Sequence, residues 1–247
     1  TVGLCMGDIG TPTRILAGRF GSPLTYATFH HERVMAPGQL SFEQMTEIYH
    51  YEDINRETDV YGVIADPVGH SLSPLIHNAA FRHLKLNKVY IPIRVPRADL
   101  ASFLDHAAQM GIKGLSVTIP HKEAVLPKLT ESDSAVRGIG AANTVIFEGD
   151  RRIGYNTDYE AAIGSLEEAM SGPGQPENPL RGKTALVLGA GGVGKAIAYG
   201  LVRRGCQVVL TDGEADRATE LAQRLKCFPV EWPGRHTVNA DVLVNCT

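Results

Sequence analysis

The run Thr184-Ala185-Leu186-Val187-Leu188, followed at once by Gly189-Ala190-Gly191-Gly192-Val193-Gly194 and then by Lys195 to Arg204, leaves this chain few choices of fold. The first five residues read as a buried strand, and Ile197 and Leu201 put an apolar stripe on the helix that follows. Between them stands G-x-G-x-x-G in the context the motif requires, strand before and helix after. Its glycines let the backbone approach a pyrophosphate, whose charge rests on the unpaired N–H groups of the helix N-terminus. A strand over Gln207 to Leu210, a later helix and a strand over Asp241 to Val244 extend this to a Rossmann unit from residue 180 onward. Cofactor contacts are expected from Gly189, Ala190, Gly191, Gly192 and Val193.

Asp212 lies just past the second of those strands, about 20 residues beyond the glycines. An acidic side chain there accepts hydrogen bonds from the ribose 2′-hydroxyl of NAD and repels a 2′-phosphate. Local electrostatics therefore points to NAD, although the basic Arg217 stands close behind.

Upstream, Gly114-Leu115-Ser116-Val117-Thr118-Ile119-Pro120-His121-Lys122-Glu123 is the second ordering feature. Leu115, Val117 and Ile119 alternate with Ser116 and Thr118, which predicts a short strand with one apolar face. Pro120 suits the first position of a helix, so Lys122 to Leu129 is expected to be helical with Lys122 in the first turn. The unpaired N–H groups of such a turn disfavour a cation. A lysine in that place has a nearby carboxylate or a chemical task; a solvated surface lysine is the plain alternative.

Around this stretch, strands over Val60 to Ala65 and Val89 to Ile93 alternate with helices from Ser73 and over Leu100 to Met110. Ser73 before Pro74 predicts an N-cap, and Leu75, Ile76, Ala79, Ala80 and Leu84 an apolar helix face. Ser71 and Ser73 beside a helix N-terminus form a natural carboxylate cradle, unless Ser73 only caps and Ser71 only turns the chain. A short helix over Ser132 to Gly138 and the turn Gly140 to Asn143 lead into a strand over Thr144 to Phe147, whose hairpin partner is Arg152 to Tyr155. Asp158 then starts a helix through Ala162, Leu166 and Ala169, where a simple cap would also explain it. Ser71, Ser73, Thr118, Lys122, Asn143 and Asp158 each fall at the end of an element, and open α/β sheets bind ligands at the carboxyl ends of their strands.

At 247 residues and 43% hydrophobic content, the chain supplies one large core or two ordinary ones. A net charge of -3 and a pI near 6.3 leave no basic footprint for nucleic acid. No apolar run approaches the roughly 20 residues of a membrane span. Cys5, Cys206, Cys227 and Cys246 show no paired spacing, which predicts reduced, buried thiols in a cytoplasm and neither a disulfide framework nor a metal site. Asp53 to Asp59 and the breaker run Gly172 to Pro179 read as connections. Both ends read as cut, as if the chain were a fragment of something longer.

The first fifty-odd residues predict a strand over Val2 to Met6, one or two helical turns over Thr13 to Arg19, a strand over Phe20 to Ala27 and a helix that Ser41 caps, running from Phe42 towards Tyr51. That order fits the closing part of a (β/α) barrel, and two strands cannot close one. The Thr13-Arg14 pair, the Phe20-Gly21-Ser22…Leu24-Thr25 run and Ala36-Pro37-Gly38-Gln39 resemble the tail of type I 3-dehydroquinate dehydratase. The resemblance implies that Arg14 and Gln39 match substrate-holding positions, while Met35 replaces the usual serine. The family's Schiff-base lysine and its histidine partner lie upstream, so no dehydratase activity is expected of this fragment.

From Val60 onward, Ser71-Leu72-Ser73-Pro74…His77-Asn78, Val117-Thr118-Ile119-Pro120-His121-Lys122, Gly140-Ala141-Ala142-Asn143-Thr144 and Gly154-Tyr155-Asn156-Thr157-Asp158 together resemble shikimate dehydrogenase. With the dehydratase-like residues ahead, the whole looks like the fused dehydratase–shikimate dehydrogenase of plants and some bacteria. The implied class is α/β: a barrel remnant over 1–56, a shikimate-binding α/β domain over 57–158, a connecting helix and linker over 159–179, and a Rossmann doubly wound domain, truncated, over 180–247. The resemblance implies reversible reduction of 3-dehydroshikimate, with Lys122 as general acid/base, Asp158 orienting the substrate and pairing with Lys122, Ser71 and Ser73 on the carboxylate, and Thr118 and Asn143 on ring hydroxyls. It implies NADP, although Asp212-Gly213-Glu214 stands where the family places Asn-Arg-Thr, which keeps NAD open. The remaining alternatives are an NAD-dependent quinate/shikimate dehydrogenase and an inactive dinucleotide-binding fragment, since the family's last substrate residues fall beyond Thr247.

Overall fold

Most of the alternating strand and helix runs form in the computed structural model, which describes residues 2–30, 35–172 and 176–247. The chain divides into two units, Thr1–Glu131 with Thr144–Ile153, and Ser132–Asn143 with Gly154–Thr247. It therefore passes between them three times, at 131/132, 143/144 and 153/154.

The first unit opens with little regular structure. Helix α1 spans Thr11–Ile15, and Gln44–Ile48 and Tyr51–Asp53 form π- and 3-10 turns. The strands expected over Val2 to Met6 and Phe20 to Ala27 do not form; an isolated bridge joins Thr28 to Ser41 instead. A strand must hand its N–H and C=O groups to neighbours, and these runs have no partner strand here. Ser41 does cap, in a reciprocal pair: its hydroxyl accepts from the Gln44 N–H at 3.1 Å while the Gln44 amide oxygen accepts from the Ser41 N–H at 2.9 Å. Ile15, Leu16, Ala17, Met45 and Tyr49 are buried, and desolvation lifts the Tyr49 phenol to about 12.

Strand β1 (Asp59–Ala65), helix α2 (Ser73–His83), strand β2 (Lys88–Arg94), helix α3 (Leu100–His106) and strand β3 (Ile112–Val117) follow. Val60, Val63, Ile64 and Ala65 are all buried, as expected of an apolar run at the centre of a covered parallel sheet. With β4 (Glu131–Ser132), α4 (Ser134–Ile139), β5 (Thr144–Glu148) and β6 (Arg151–Tyr155), the sheet order is β2-β1-β3-β5-β6-β4. The β1 pairs with β2 and β3 are parallel and the β3–β5 pair is antiparallel.

Three local expectations are corrected. Helix α2 begins at Ser73 itself, with Leu72 in the cap position in helical conformation and no side-chain cap, so Ser73 is the first helical residue and not the cap. The face that α2 buries carries Pro74 and Asn78, whereas Leu75, Ile76 and Leu84 are exposed. What decides this is the sheet edge. Among the described residues β2 has no strand on its outer side, and the Asn78 amide stands in for one, accepting from the Tyr90 N–H and donating to the Tyr90 C=O, both at 2.8 Å. Finally, β3 stops at Val117, Ile119 is exposed, and Lys122 lies in a succession of turns that ends in a 3-10 turn over Leu126–Lys128. No helix of the described residues starts there.

In the second unit, Asp133 caps α4 by accepting from the Val136 N–H at 2.6 Å, and Gly140 ends it in the left-handed region. Helix α5 (Asp158–Met170), β7 (Thr184–Leu188), α6 (Gly192–Arg203), β8 (Gln207–Thr211), α7 (Ala215–Leu225), β9 (Phe228–Pro229) and β10 (Val242–Asn245) complete it. The four-stranded order β10-β7-β8-β9 is parallel throughout. Ile163, Leu180, Val187, Leu201, Leu210 and Leu221 fill its core, each worth about 1.5–3 kcal/mol relative to exposure. Arg204 donates to both oxygens of Glu167 at 2.6 and 3.3 Å, tying α5 to the end of α6. Of the breaker run, residues 173–175 lie outside the described residues. Asn178 anchors its end, donating to the Arg204 C=O at 3.0 Å and accepting from the N–H of the fully buried Leu180. All four cysteines are free; Cys5 is exposed and the others are half-buried rather than buried, with the Cys227 thiol raised by desolvation to about 11.

Candidate functional site

In the first unit, the candidate residues follow the carboxyl ends of two adjacent parallel strands, β1 and β3. The chain ends of these strands are tied together: the Thr118 N–H donates to the Ile64 C=O at 3.1 Å and the Asp66 N–H to the Ile119 C=O at 3.2 Å. After β1, the Ser71 hydroxyl accepts from the Ser73 N–H at 3.3 Å, so the two serines share one turn. After β3, Thr118 and Lys122 frame a turn in which the His121 N–H donates to the Thr118 C=O at 2.8 Å. His121 is fully buried and its Nε2 bonds the Val95 carbonyl at 2.8 Å, pegging the lysine-bearing turn to the end of β2. Burial lowers its pKa, so the ring is held neutral.

In the second unit, Asn143 and Asp158 are brought into direct contact. The Asn143 amide donates to an Asp158 carboxylate oxygen at 2.7 Å and to the Thr157 hydroxyl at 2.9 Å, and its oxygen accepts from the Thr157 N–H at 3.1 Å. Asn156 makes this possible: buried itself, it donates to the Ala141 C=O at 2.9 Å and accepts from the Asp158 N–H at 3.1 Å. Asp158 is the first residue of α5, where the helix dipole favours a negative charge.

The glycine-rich turn connects β7 to α6, with Gly191 in the cap position. Gly189 has φ +99°, and a Cβ there would lie 2.9 Å from the Cys246 carbonyl oxygen. A Cβ on Gly194 would strike the Gly189 carbonyl oxygen, so this close backbone approach admits no side chain. Such a cradle fits a pyrophosphate. Asp212 closes it from below: one carboxylate oxygen accepts from the Ala190 N–H at 2.6 Å and the other from the Glu214 N–H at 2.8 Å. The guanidinium of Arg217 lies beside Gly191, 3.6 Å from where a Cβ would stand, and 3.5 Å from Glu214.

Sequence reasoning missed Tyr90, whose hydroxyl donates to the Ser116 hydroxyl at 2.7 Å. It missed the structural tasks of His121, Asn156 and Asp212 as well. A polar residue inside an apolar run, as Tyr90 is in Val89-Tyr90-Ile91, was the signal for the first.

These features define an α/β protein with a dinucleotide-type glycine turn in one unit and a polar strand-end cluster in the other. Residues 63–145 match the family model of the shikimate dehydrogenase substrate-binding domain, residues 1–56 that of type I 3-dehydroquinase, and residues 184–247 that of a coenzyme F420-dependent NADP oxidoreductase. The chain is 40% identical over 233 residues to the chloroplastic bifunctional 3-dehydroquinate dehydratase/shikimate dehydrogenase of Arabidopsis thaliana, an alignment covering 91% of this chain and 38% of that protein. It is 38% identical to the shikimate dehydrogenase (NADP(+)) of Aquifex aeolicus, over 78% of this chain and 70% of the relative. The crystal structure of shikimate 5-dehydrogenase from Thermus thermophilus in complex with NADP(H) and shikimate superposes with a TM-score of 0.66 at 34% identity, covering 77% of this chain and 69% of that one. The chain belongs to the shikimate dehydrogenase family. It spans well under half the length of the Arabidopsis relative and about two thirds of the other two.

Proposed function

We propose that the protein catalyses the reversible reduction of 3-dehydroshikimate to shikimate with NADP. The observation that carries this reading is the pairing of two built features in one family chain: a glycine turn with no room for a Cβ at Gly189 or Gly194, and serine, threonine and lysine side chains at the carboxyl ends of β1 and β3. When bound at that turn, NADP supplies or accepts the hydride. The chain's own residues do the rest. Ser71 and Ser73 hold the substrate carboxylate, and Thr118 and Asn143 hold ring hydroxyls. Reduction of a ketone develops alkoxide charge, which the Lys122 ammonium neutralises and protonates; in the reverse direction its amine takes the hydroxyl proton. Asp158, fixed by Asn143, orients the substrate hydroxyls.

Residues 1–56 form the dehydratase-like remnant and carry no dehydratase step in this reading; 57–158 are the substrate-binding domain, 159–179 connect, and 180–247 bind the cofactor. No helix among the described residues is long and apolar enough to cross a membrane; the four free cysteines support reading the chain as a cytoplasmic enzyme, and its substrate as a small molecule.

For NADP, Arg217 beside the turn offers a counter-charge to the 2′-phosphate, and both oxygens of Asp212 are already engaged with backbone N–H groups. A second reading rests on Asp212 itself, whose negative charge near the ribose favours NAD and with it a quinate/shikimate dehydrogenase. One spectrophotometric assay decides between them: reduction of NADP and of NAD by shikimate and then by quinate. Preferred use of NADP with shikimate is expected, and Lys122→Ala should lower kcat by several orders of magnitude while shikimate binding changes little. A strong preference for NAD with quinate would replace this reading with the second. Turnover near normal in Lys122→Ala would remove the acid/base assignment.

A further inference from the structure

The guanidinium of Arg217 stands between the glycine turn and a carboxylate. Its Nη2 lies 3.6 Å from where a Cβ on Gly191 would stand, so it borders the turn at the cap of α6. Its Nη1 lies 3.5 Å from a carboxylate oxygen of Glu214, the residue in the cap position of α7, three residues earlier.

Two carboxylates follow β8, and they are held differently. Asp212 is engaged with the backbone, its oxygens accepting from the Ala190 N–H at 2.6 Å and the Glu214 N–H at 2.8 Å, which shapes the turn itself. The Glu214 side chain is 74% exposed and faces Arg217. An ion pair this open adds little to stability, because water screens it and two long side chains must be ordered to make it. Its effect falls on whatever else seeks the guanidinium. NADP and NAD differ by one 2′-phosphate. A dianion that engages Arg217 must displace the Glu214 carboxylate and then stand beside it, whereas an uncharged ribose hydroxyl meets neither cost.

We propose that Glu214 is a specificity-determining residue: it competes with the cofactor's 2′-phosphate for Arg217 and so narrows the chain's discrimination between NADP and NAD. This rests on the reading that the glycine turn holds a dinucleotide with its 2′-phosphate at Arg217. A dianion and a carboxylate about 6 Å apart in screened solvent repel enough to weaken binding about three- to tenfold.

The test titrates NADP and NAD into the intact protein and into Glu214→Gln by isothermal titration calorimetry, which needs no turnover. Glutamine keeps the length of the side chain and removes its charge. NADP should bind about three- to tenfold more tightly to Glu214→Gln, while the Kd for NAD changes less than about twofold. Raising the salt to about 0.5 M, where charges reach only about 4 Å, should shrink that gain. The melting temperature should stay within about 2 °C of wild type. A glutamate that served only the N-terminus of α7 would lower the melting temperature on substitution and move both cofactors together. An unchanged ratio of the two Kd values overturns the proposal, and so does a gain that salt leaves untouched. Arg217→Gln supplies the second arm and should weaken NADP while sparing NAD. Unaltered NADP binding in that variant places the phosphate elsewhere and removes the reading of the site together with the proposal. The failures are distinct: a wild-type protein that binds neither nucleotide removes the cofactor reading and the proposal with it, whereas normal binding with an unchanged ratio in Glu214→Gln removes the proposal alone.

Discussion

Replacing Asn78 by alanine removes the side chain that bonds the outer edge of β2 at Tyr90. Asn78 is buried, with 3% of its surface exposed, and makes two hydrogen bonds of 2.8 Å to one residue's N–H and C=O. Removing it leaves both backbone groups without a partner beneath α2. Each buried, unsatisfied group costs about 1–3 kcal/mol. Since they lie at a sheet edge that water reaches more easily than a centre, the lower half applies, and the sum is about 2–4 kcal/mol. For a protein of this size each kcal/mol moves the melting temperature by about 2–4 °C, so a drop of roughly 5–15 °C is expected. Differential scanning calorimetry of wild type and Asn78→Ala measures it directly. Asn78→Asp is the discriminating control. It retains the acceptor for the Tyr90 N–H but sets a carboxylate against the Tyr90 carbonyl, and should be no more stable than the alanine variant. Melting of Asn78→Ala within about 2 °C of wild type would show that the edge needs no surrogate strand, and the account of α2 orientation would fall with it.

Three further outcomes are expected. Burial lowers the His121 pKa against an unfolded value near 6.5, with the hydrogen bond to Val95 and then the Asp66 charge opposing the shift and Arg97 adding to it. The folded ring resists a proton that the unfolded chain accepts, so this contribution is complete above about pH 6.5 and is lost as pH falls from there towards the folded value. His121→Gln keeps a donor for the Val95 carbonyl and removes the titration, so urea unfolding followed over that range should show a flatter decline; an identical slope would dismiss the role. Gly194→Ala sets a methyl group against the Gly189 carbonyl and should cost about 1–3 kcal/mol of stability and weaken cofactor binding more than tenfold by fluorescence titration. Gly164→Ala, on the exposed side of α5 with nothing near its Cβ, should instead stabilise by about 0.5–1 kcal/mol; destabilisation there would contradict the open geometry.

Much of the architecture was legible because it is written in local periods. The apolar strand before Gly189 and the stripe of Ile197 and Leu201 needed only neighbours in sequence, and the β7–α6 turn formed as read. Val2 to Met6 and Phe20 to Ala27 look just as strand-like, but a strand exists only with a partner, and partners are not local. Pro120 can open a helix, which is why the sequence puts Lys122 on one; the bonds from the Thr118 N–H to Ile64, from the Asp66 N–H to Ile119 and between His121 and Val95 hold the chain in turns instead. The buried face of α2 was misjudged for a similar reason. Its apolar residues outnumber its polar ones, yet the position of Asn78 is set by an unpaired edge on β2 that hydrophobicity does not encode. For the candidate site, residue types were readable from short runs, while the bonds among them, such as Asn143 to Asp158 or Asp212 to Ala190, depended on folding.

The three passages of the chain between the units have a consequence for anyone who would exchange parts between relatives. A single splice, wherever it is placed, cannot lift out one unit whole, because residues 132–143 belong with the later half and residues 144–153 with the earlier. A chimaera that inherits each unit intact must be recombined at three points. A transplant of the glycine-turn half alone carries with it a twelve-residue piece, 132–143, that the gene separates from the seam at 153/154 by the ten residues 144–153.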